Sequence, residues 1–183
     1  MKRLLPFLLL IAAGCGAKGP APVALVAIDA SGSARPFLDR YIAVARDLDE
    51  TLPPGSRLEM YRFDTRVDEI HVGEPLEAAP FKRIVVEAMA KDRGQQGTSI
   101  LKFAERADER IAKYAGRPIE ILVLTDCGVE EMKPDDHAKL KEIVATWAKN
   151  PDLRSVRLFG VRPLHHDVLR KDFDSLGERL KIE

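Results

Sequence analysis

The chain alternates between two kinds of hydrophobic pattern. Val23–Ile28 and Ile119–Leu124 are continuous or near-continuous apolar runs. Such runs read as strands buried on both faces, the habit of central strands in a parallel sheet. Between and after them, apolar residues recur at helical spacing. Phe37, Tyr41, Val44 and Leu48 form one stripe, opened by Pro36 and closed by Pro53-Pro54-Gly55; proline in a first turn lacks an N–H that would be unbonded anyway. Arg57–Phe63 and Val67–Val72 read as short strands, and Asp64-Thr65-Arg66 between them predicts a hairpin at a sheet edge. Phe81, Ile84, Val85, Ala88 and Met89 predict a helix over Phe81–Lys91, and Ile100, Phe103, Ala107, Ile111 and Tyr114 predict another. Gly116-Arg117-Pro118 closes the latter. Pro134 opens a helix with Leu140, Ile143, Val144 and Trp147 inward, Trp147 as a core anchor. Arg154–Val161 reads as a peripheral strand. A last helix is expected over Leu164–Leu180, carrying Val168, Phe173, Leu176 and Leu180, with His165 and His166 at its exposed start. The order of elements predicts an α/β fold: a doubly wound, mostly parallel sheet with helices on both faces and one antiparallel edge strand.

Composition adds bounds. A chain of 183 residues suits one domain with a real core. Its 29 basic residues balance 29 acidic ones, so no nucleic-acid footprint is expected. No block of like charge, internal repeat or low-complexity tract stands out.

The N-terminus changes the picture more. Lys2 and Arg3 precede an apolar run, Leu4–Ala13, too short to span a bilayer but fit for the apolar region of an export signal. It ends in Ala12-Ala13-Gly14-Cys15, which resembles the lipobox of bacterial lipoproteins, with Ala12 where leucine is usual. The resemblance implies a signal peptide over residues 1–14, a lipidated Cys15, a short tether over 15–22 and a domain over 23–183. A multiply acylated cysteine would be a stable anchor. Gly16–Pro22, with prolines at 20 and 22, would reach roughly 20 Å at about 3 Å per residue. Gly16 in place of an aspartate favours the outer membrane of a cell that has one, by resemblance to lipoprotein sorting. With Cys15 lipidated, Cys127 has no partner for an internal disulfide.

Candidate chemistry lies where the central strands end. The first runs into Asp29-Ala30-Ser31-Gly32-Ser33, which places one carboxylate and two hydroxyls on the rim where open α/β sheets bind ligands. The same residues also favour turns on backbone grounds. Hard oxygen donors of this kind suit a divalent cation such as Mg²⁺. Arg93-Gly94-Gln95-Gln96-Gly97 leads to Thr98, which is either the cap of the next helix or a hydroxyl turned toward the same crevice. The second central strand also ends in an acidic residue, Thr125-Asp126, followed by Cys127-Gly128.

Asp29-x-Ser31-x-Ser33, then Thr98 after a glycine-rich turn, then Asp126 after an apolar strand, resembles the metal-ion-dependent adhesion site of von Willebrand factor A domains. The resemblance spans Val23 to about Val161. It implies direct ligation of Mg²⁺ (or Mn²⁺) by Ser31, Ser33 and Thr98, with Asp29 and Asp126 acting through water or hydroxyls. The cation then bridges to a Glu or Asp carboxylate of a protein partner. Cys127 stands where the family commonly has glycine and is expected to be a buried, inert filler. Two other readings remain: a Mg²⁺-dependent phosphohydrolase, and a metal-free envelope scaffold. The first wants a second aspartate two residues after Asp29, where the chain has Ser31, and a late acidic pair, for which Asp135-Asp136 is a distant match.

Overall fold

The computed structural model describes residues 19–90, 97–127 and 132–183. The expected signal peptide, Cys15, the start of the tether, Arg93–Gln96 and Gly128 lie outside the described residues.

The order of elements is β1 (Val23–Asp29), α1 (Leu38–Thr51), β2 (Arg57–Phe63), β3 (Val67–Gly73), α2 (Ala78–Ala90), α3 (Ile100–Lys113), β4 (Ile119–Leu124), α4 (Pro134–Lys149), β5 (Leu153–Phe159), α5 (His166–Asp172) and β6 (Leu180–Ile182). They build a six-stranded sheet in the order β3-β2-β1-β4-β5-β6. β1 pairs in parallel with both β2 and β4, in register Val26 with Met60 and Leu122. β3 runs antiparallel to β2 at one edge. This is the architecture expected from the alternating pattern.

β1 is buried along its whole length because both faces are covered. Val23, Leu25 and Ala27 join Tyr61, Ile121 and Val156 beneath α3 and α4. Ala24, Val26 and Ile28 join Leu58, Met60 and Leu122 beneath α1 and α2. Trp147 is buried in the first of these layers, as expected, and its indole N–H donates to Asp108 Oδ1 at 3.1 Å.

The C-terminal third differs from expectation. There is no single helix over Leu164–Leu180 among the described residues. A 3₁₀ turn (Pro163–His165) leads into α5, a second 3₁₀ segment (Asp174–Arg179) follows, and the chain then enters β6. Gly177, at φ 54 and ψ −127, takes a conformation no helix allows. β6 pairs in parallel with β5, so β5 is an interior strand and not a peripheral one. With three residues, β6 is too short to leave a period in the sequence. His165 is buried, not at the surface: it closes a 3₁₀ turn whose geometry points it inward, while His166 bonds the Val161 carbonyl. Phe37 also departs from its stripe. It sits in a 3₁₀ turn (Arg35–Phe37) ahead of α1 and is 40% exposed, and Tyr41 and Ala45 carry the buried face.

Candidate metal centre

The sheet order places β1 between β2 and β4, so the chain leaves β1 to one side and later returns on the other. That is the switch point at which strand C-termini open a crevice in doubly wound sheets. Asp29 ends β1, and Asp126 follows β4 by two residues.

The structure brings the sequence-predicted residues together at this crevice. Asp29, Ser31 and Asp126 are buried, while Ser33 is exposed on the rim. The Ser31 N–H donates to Asp29 Oδ1 at 2.8 Å, closing the turn locally. The Ser31 and Ser33 hydroxyl oxygens lie 3.2 Å apart, and Ser33 donates to Asp126 Oδ1 at 3.2 Å. Thr98 Oγ1 lies 3.5 Å from Asp29 Oδ2, at the long limit of a hydrogen bond.

The two roles open to Thr98 are resolved by its neighbour. Ser99 is the N-cap of α3 and accepts from the Lys102 N–H, which leaves the Thr98 hydroxyl to face Asp29. Two features set its position. Gly97 has φ 113, a region L side chains rarely enter, and the Ser99 N–H donates to the Asp64 carbonyl at 2.8 Å. The hairpin therefore helps to hold a segment distant in sequence.

Other residues at the site escaped sequence reasoning. Thr125 Oγ1 donates to Asp29 Oδ2 at 2.5 Å and accepts the Cys127 N–H at 2.9 Å, joining the two central strands at the rim. Its place beside Asp126 was a signal. Arg162, on the β5–α5 loop, brings its guanidinium onto Asp126 Oδ2. Nothing local to position 162 points to Asp126, 36 residues away. Tyr41 lies beneath the site, fully buried, with a hydroxyl that finds no hydrogen-bond partner among the described residues. Burial, with Asp29 and Asp126 nearby, pushes that phenol far up. Gly160 makes room for it: a Cβ there would come within 2.8 Å of the Tyr41 hydroxyl and 3.2 Å of the Thr125 carbonyl.

Cys127 is buried, as expected of a filler, and burial beside Asp29 and Asp126 raises its thiol far above the ordinary range, which disfavours the reactive thiolate. Its φ of 50 is left-handed, which gives a backbone reason for glycine at the corresponding place in related sites.

Burial also pushes Asp29 up to about 6, partly offset by hydrogen bonds from Thr125 and Ser31, with Asp126 adding to the rise. A buried carboxylate raised in this way, with a second one beside it, is a place where added positive charge is favourable. Among the described residues no cluster of three or more His, Cys, Asp or Glu side chains is placed to hold a metal. The donor set is two carboxylates with the hydroxyls of Ser31, Ser33 and Thr98, which fits a hard cation that keeps part of its water shell. Of the acidic pair of α4, Asp136 is engaged elsewhere, accepting the Lys133 N–H at the helix start.

No model of a known protein family matches the chain, and no curated protein does. Solved structures do. The chain is similar to a von Willebrand factor type A structure from Catenulispora acidiphila, with TM-score 0.64 and 19% identity over 89% of this chain and 38% of that one. It is similar to an aerotolerance-related membrane protein from Bacteroides fragilis, with TM-score 0.62 and 14% identity over 88% of this chain and 90% of the other. It also resembles proximal thread matrix protein 1 from the mussel byssus, solved with a zinc-occupied MIDAS motif, at TM-score 0.61 and 12% identity over 90% of this chain and 41% of that one. The chain thus spans well under half of the first and third of these structures.

Proposed function

The chain has the fold of von Willebrand factor A domains, and on it we propose a binding module that recruits a protein partner through a divalent cation, Mg²⁺ or Mn²⁺. The observation that carries this reading is the convergence of Asp29 and Asp126 with the hydroxyls of Ser31, Ser33 and Thr98 on one rim at the switch point. Ser31, Ser33 and Thr98 would hold the cation directly, and Asp29 and Asp126 would balance its charge. A bound cation would supply an electrophilic position with neutral oxygens on its protein side, suited to a Glu or Asp carboxylate of a partner. The mussel protein's zinc-occupied motif supports metal at this place in the fold.

A hydrolase reading finds less support. Ser31 stands where a second aspartate would be needed, and Asp136 is spent on capping α4. The function proposed is binding, not catalysis.

We also propose that Cys15 is lipidated and holds the domain at a bacterial envelope, with the outer membrane favoured. The geometry gives this a consequence. Arg117 donates to the carbonyls of Ala21, Pro22 and Gly55 at 2.8, 3.3 and 3.0 Å, fixing the chain where it enters β1. That entry and the metal rim lie at opposite ends of β1, separated by roughly 20 Å at about 3.3 Å per residue. An anchor at Cys15 would therefore attach to the domain at the end of β1 opposite the rim.

Thermal unfolding of the full chain tests the metal. Mg²⁺ at about a hundred times its Kd is expected to add about 2.7 kcal/mol to stability, reversed by EDTA. Ser31→Ala/Ser33→Ala is expected to abolish the shift, and no shift at millimolar Mg²⁺ or Mn²⁺, either in the unaltered chain or in one whose Arg162 no longer pairs with Asp126, would remove the cation from the reading. Radiolabelled palmitate incorporation, lost in Cys15→Ser, tests the anchor.

A further inference from the structure

Asp126 is a crowded carboxylate. Its carboxylate is buried, Oδ1 accepts the Ser33 hydroxyl, and Oδ2 is bound by the Arg162 guanidinium. This ion pair joins unequal partners, because the Arg162 side chain is 47% exposed and that of Asp126 is 1% exposed. The guanidinium can leave for water at small cost, whereas the carboxylate cannot follow it. The loop that presents Arg162 is fixed at its base. The Gly160 and Val161 N–H groups both donate to the Glu183 carbonyl, at 2.8 and 3.1 Å, and the Arg162 N–H reaches the Asp126 carbonyl at 3.4 Å. Release of Asp126 by Arg162 therefore needs rotation of a half-exposed side chain and no movement of the backbone.

Resting on the metal-binding reading above, we propose that Arg162 is a resident cation that competes with the divalent ion for the Asp126 carboxylate. In the metal-free protein the guanidinium neutralises Asp126 and holds the rim together. When the site is loaded, Arg162 gives up Oδ2 and turns to solvent at the edge of the rim, where it presents a planar pair of N–H donors. Such a fork suits a carboxylate, so the released side chain is placed to meet the acidic group of an arriving partner. The ion pair thus lowers metal affinity in the absence of a partner, and an acidic partner recovers it.

The test is titration of the full chain with Mn²⁺ alone, following free Mn²⁺ by electron paramagnetic resonance, beside melting curves without metal. Arg162→Ala and Arg162→Gln remove the charge, the second while keeping a hydrogen-bonding side chain. Arg154→Gln removes one positive charge from an exposed position on β5 as a control. Both Arg162 variants are expected to tighten the Mn²⁺ Kd about fivefold, to melt earlier without metal, and to show a larger metal-induced rise. Arg154→Gln is expected to leave Kd unchanged. Variants that bind Mn²⁺ where the unaltered chain binds none would also support the competition. Unchanged or weaker affinity in both variants, with the unaltered chain binding normally, would overturn it and make Arg162 a structural support, leaving the metal site standing. Absence of Mn²⁺ binding in every chain at millimolar metal would remove the metal site, and the competition with it.

Discussion

Two carboxylates on neighbouring strands of this sheet have opposite fates. Glu59, on β2, is fully buried, and burial alone would raise its carboxyl. Hydrogen bonds from Arg110, Tyr114 and Tyr61 outweigh that and hold it down at about 2. Tyr61 donates at 2.6 Å, the Arg110 Nε at 2.7 Å, and the Arg110 and Tyr114 ends reach the other oxygen. Arg57 adds a longer contact at 3.4 Å. Asp29, on β1, is equally buried but is bonded by hydroxyls and one backbone N–H, and its carboxyl rises to about 6. The first cluster is electrostatically complete. The second carries buried negative charge that hydroxyls and one backbone N–H do not neutralise, and that shortfall is what recommends it as a candidate cation site.

The sharpest way to break the comparison is to make the same change at both places. Glu59→Gln leaves Arg110 facing a neutral group in a mostly buried setting and is expected to cost about 3–5 kcal/mol, read by denaturant unfolding. Asp29→Asn is expected to leave metal-free stability equal or higher, while erasing any Mg²⁺ response. Equal losses in both would show that the contrast is one of packing and not of charge.

Acid titration separates them by sign. Glu59 has a folded value of about 2 against an ordinary 4.5, so its contribution is present above about 4.5 and is lost as pH falls toward 2. Asp29, raised from 3.8 to about 6, works in the opposite sense: its contribution is full below about 4 and is lost as pH rises through 6. Unfolding free energies from pH 2 to 7 are expected to fall at the acid end in the parent chain and to flatten there in Glu59→Gln.

Gly160→Ala probes the packing beneath the rim. Its φ of 90 and the close approach of Tyr41 and the Thr125 carbonyl predict a loss of about 1–3 kcal/mol, checked by thermal melting. A comparable substitution at Gly116, also at positive φ but with nothing within 4 Å, is expected to cost less.

The smallest effect divides two adjacent hydroxyls. Ser99→Ala removes the cap of α3 and is expected to cost about 1 kcal/mol with the metal response intact. Thr98→Ala is expected to cost less stability and to weaken Mn²⁺ binding.

Much of this was legible in the sequence, for reasons that differ by element. β1 and β4 are covered on both faces, so their residues are apolar almost throughout, Glu120 being the exception in β4, and the run of six from Val23 marks a central strand without any knowledge of its neighbours. Asp29, Ser31, Ser33 and Asp126 follow the ends of those strands, where a change from apolar to Asp, Ser and Gly is abrupt, so local pattern marks them. Thr98, ahead of α3, read equally as a helix cap, and only the resemblance of the whole set to the metal-ion-dependent adhesion site joined it to the other four. The C-terminal third could not. The spacing of Val168, Phe173, Leu176 and Leu180 mimics a helix, yet Gly177 breaks it and β6 is held by pairing with β5.

The sequence by itself determined the alternation of strands and helices, the hydrophobic layers and the chemistry of the rim, because periodicity and residue type are local properties. Tertiary structure alone decided which charges met. Arg162 reaches Asp126, Thr125 reaches Asp29, and Tyr41 lies beneath both because the sheet order brings the C-terminal ends of β1, β4 and β5 together at one end of the sheet. Electrostatic balance depends on distance in space, and no period in the chain encodes it.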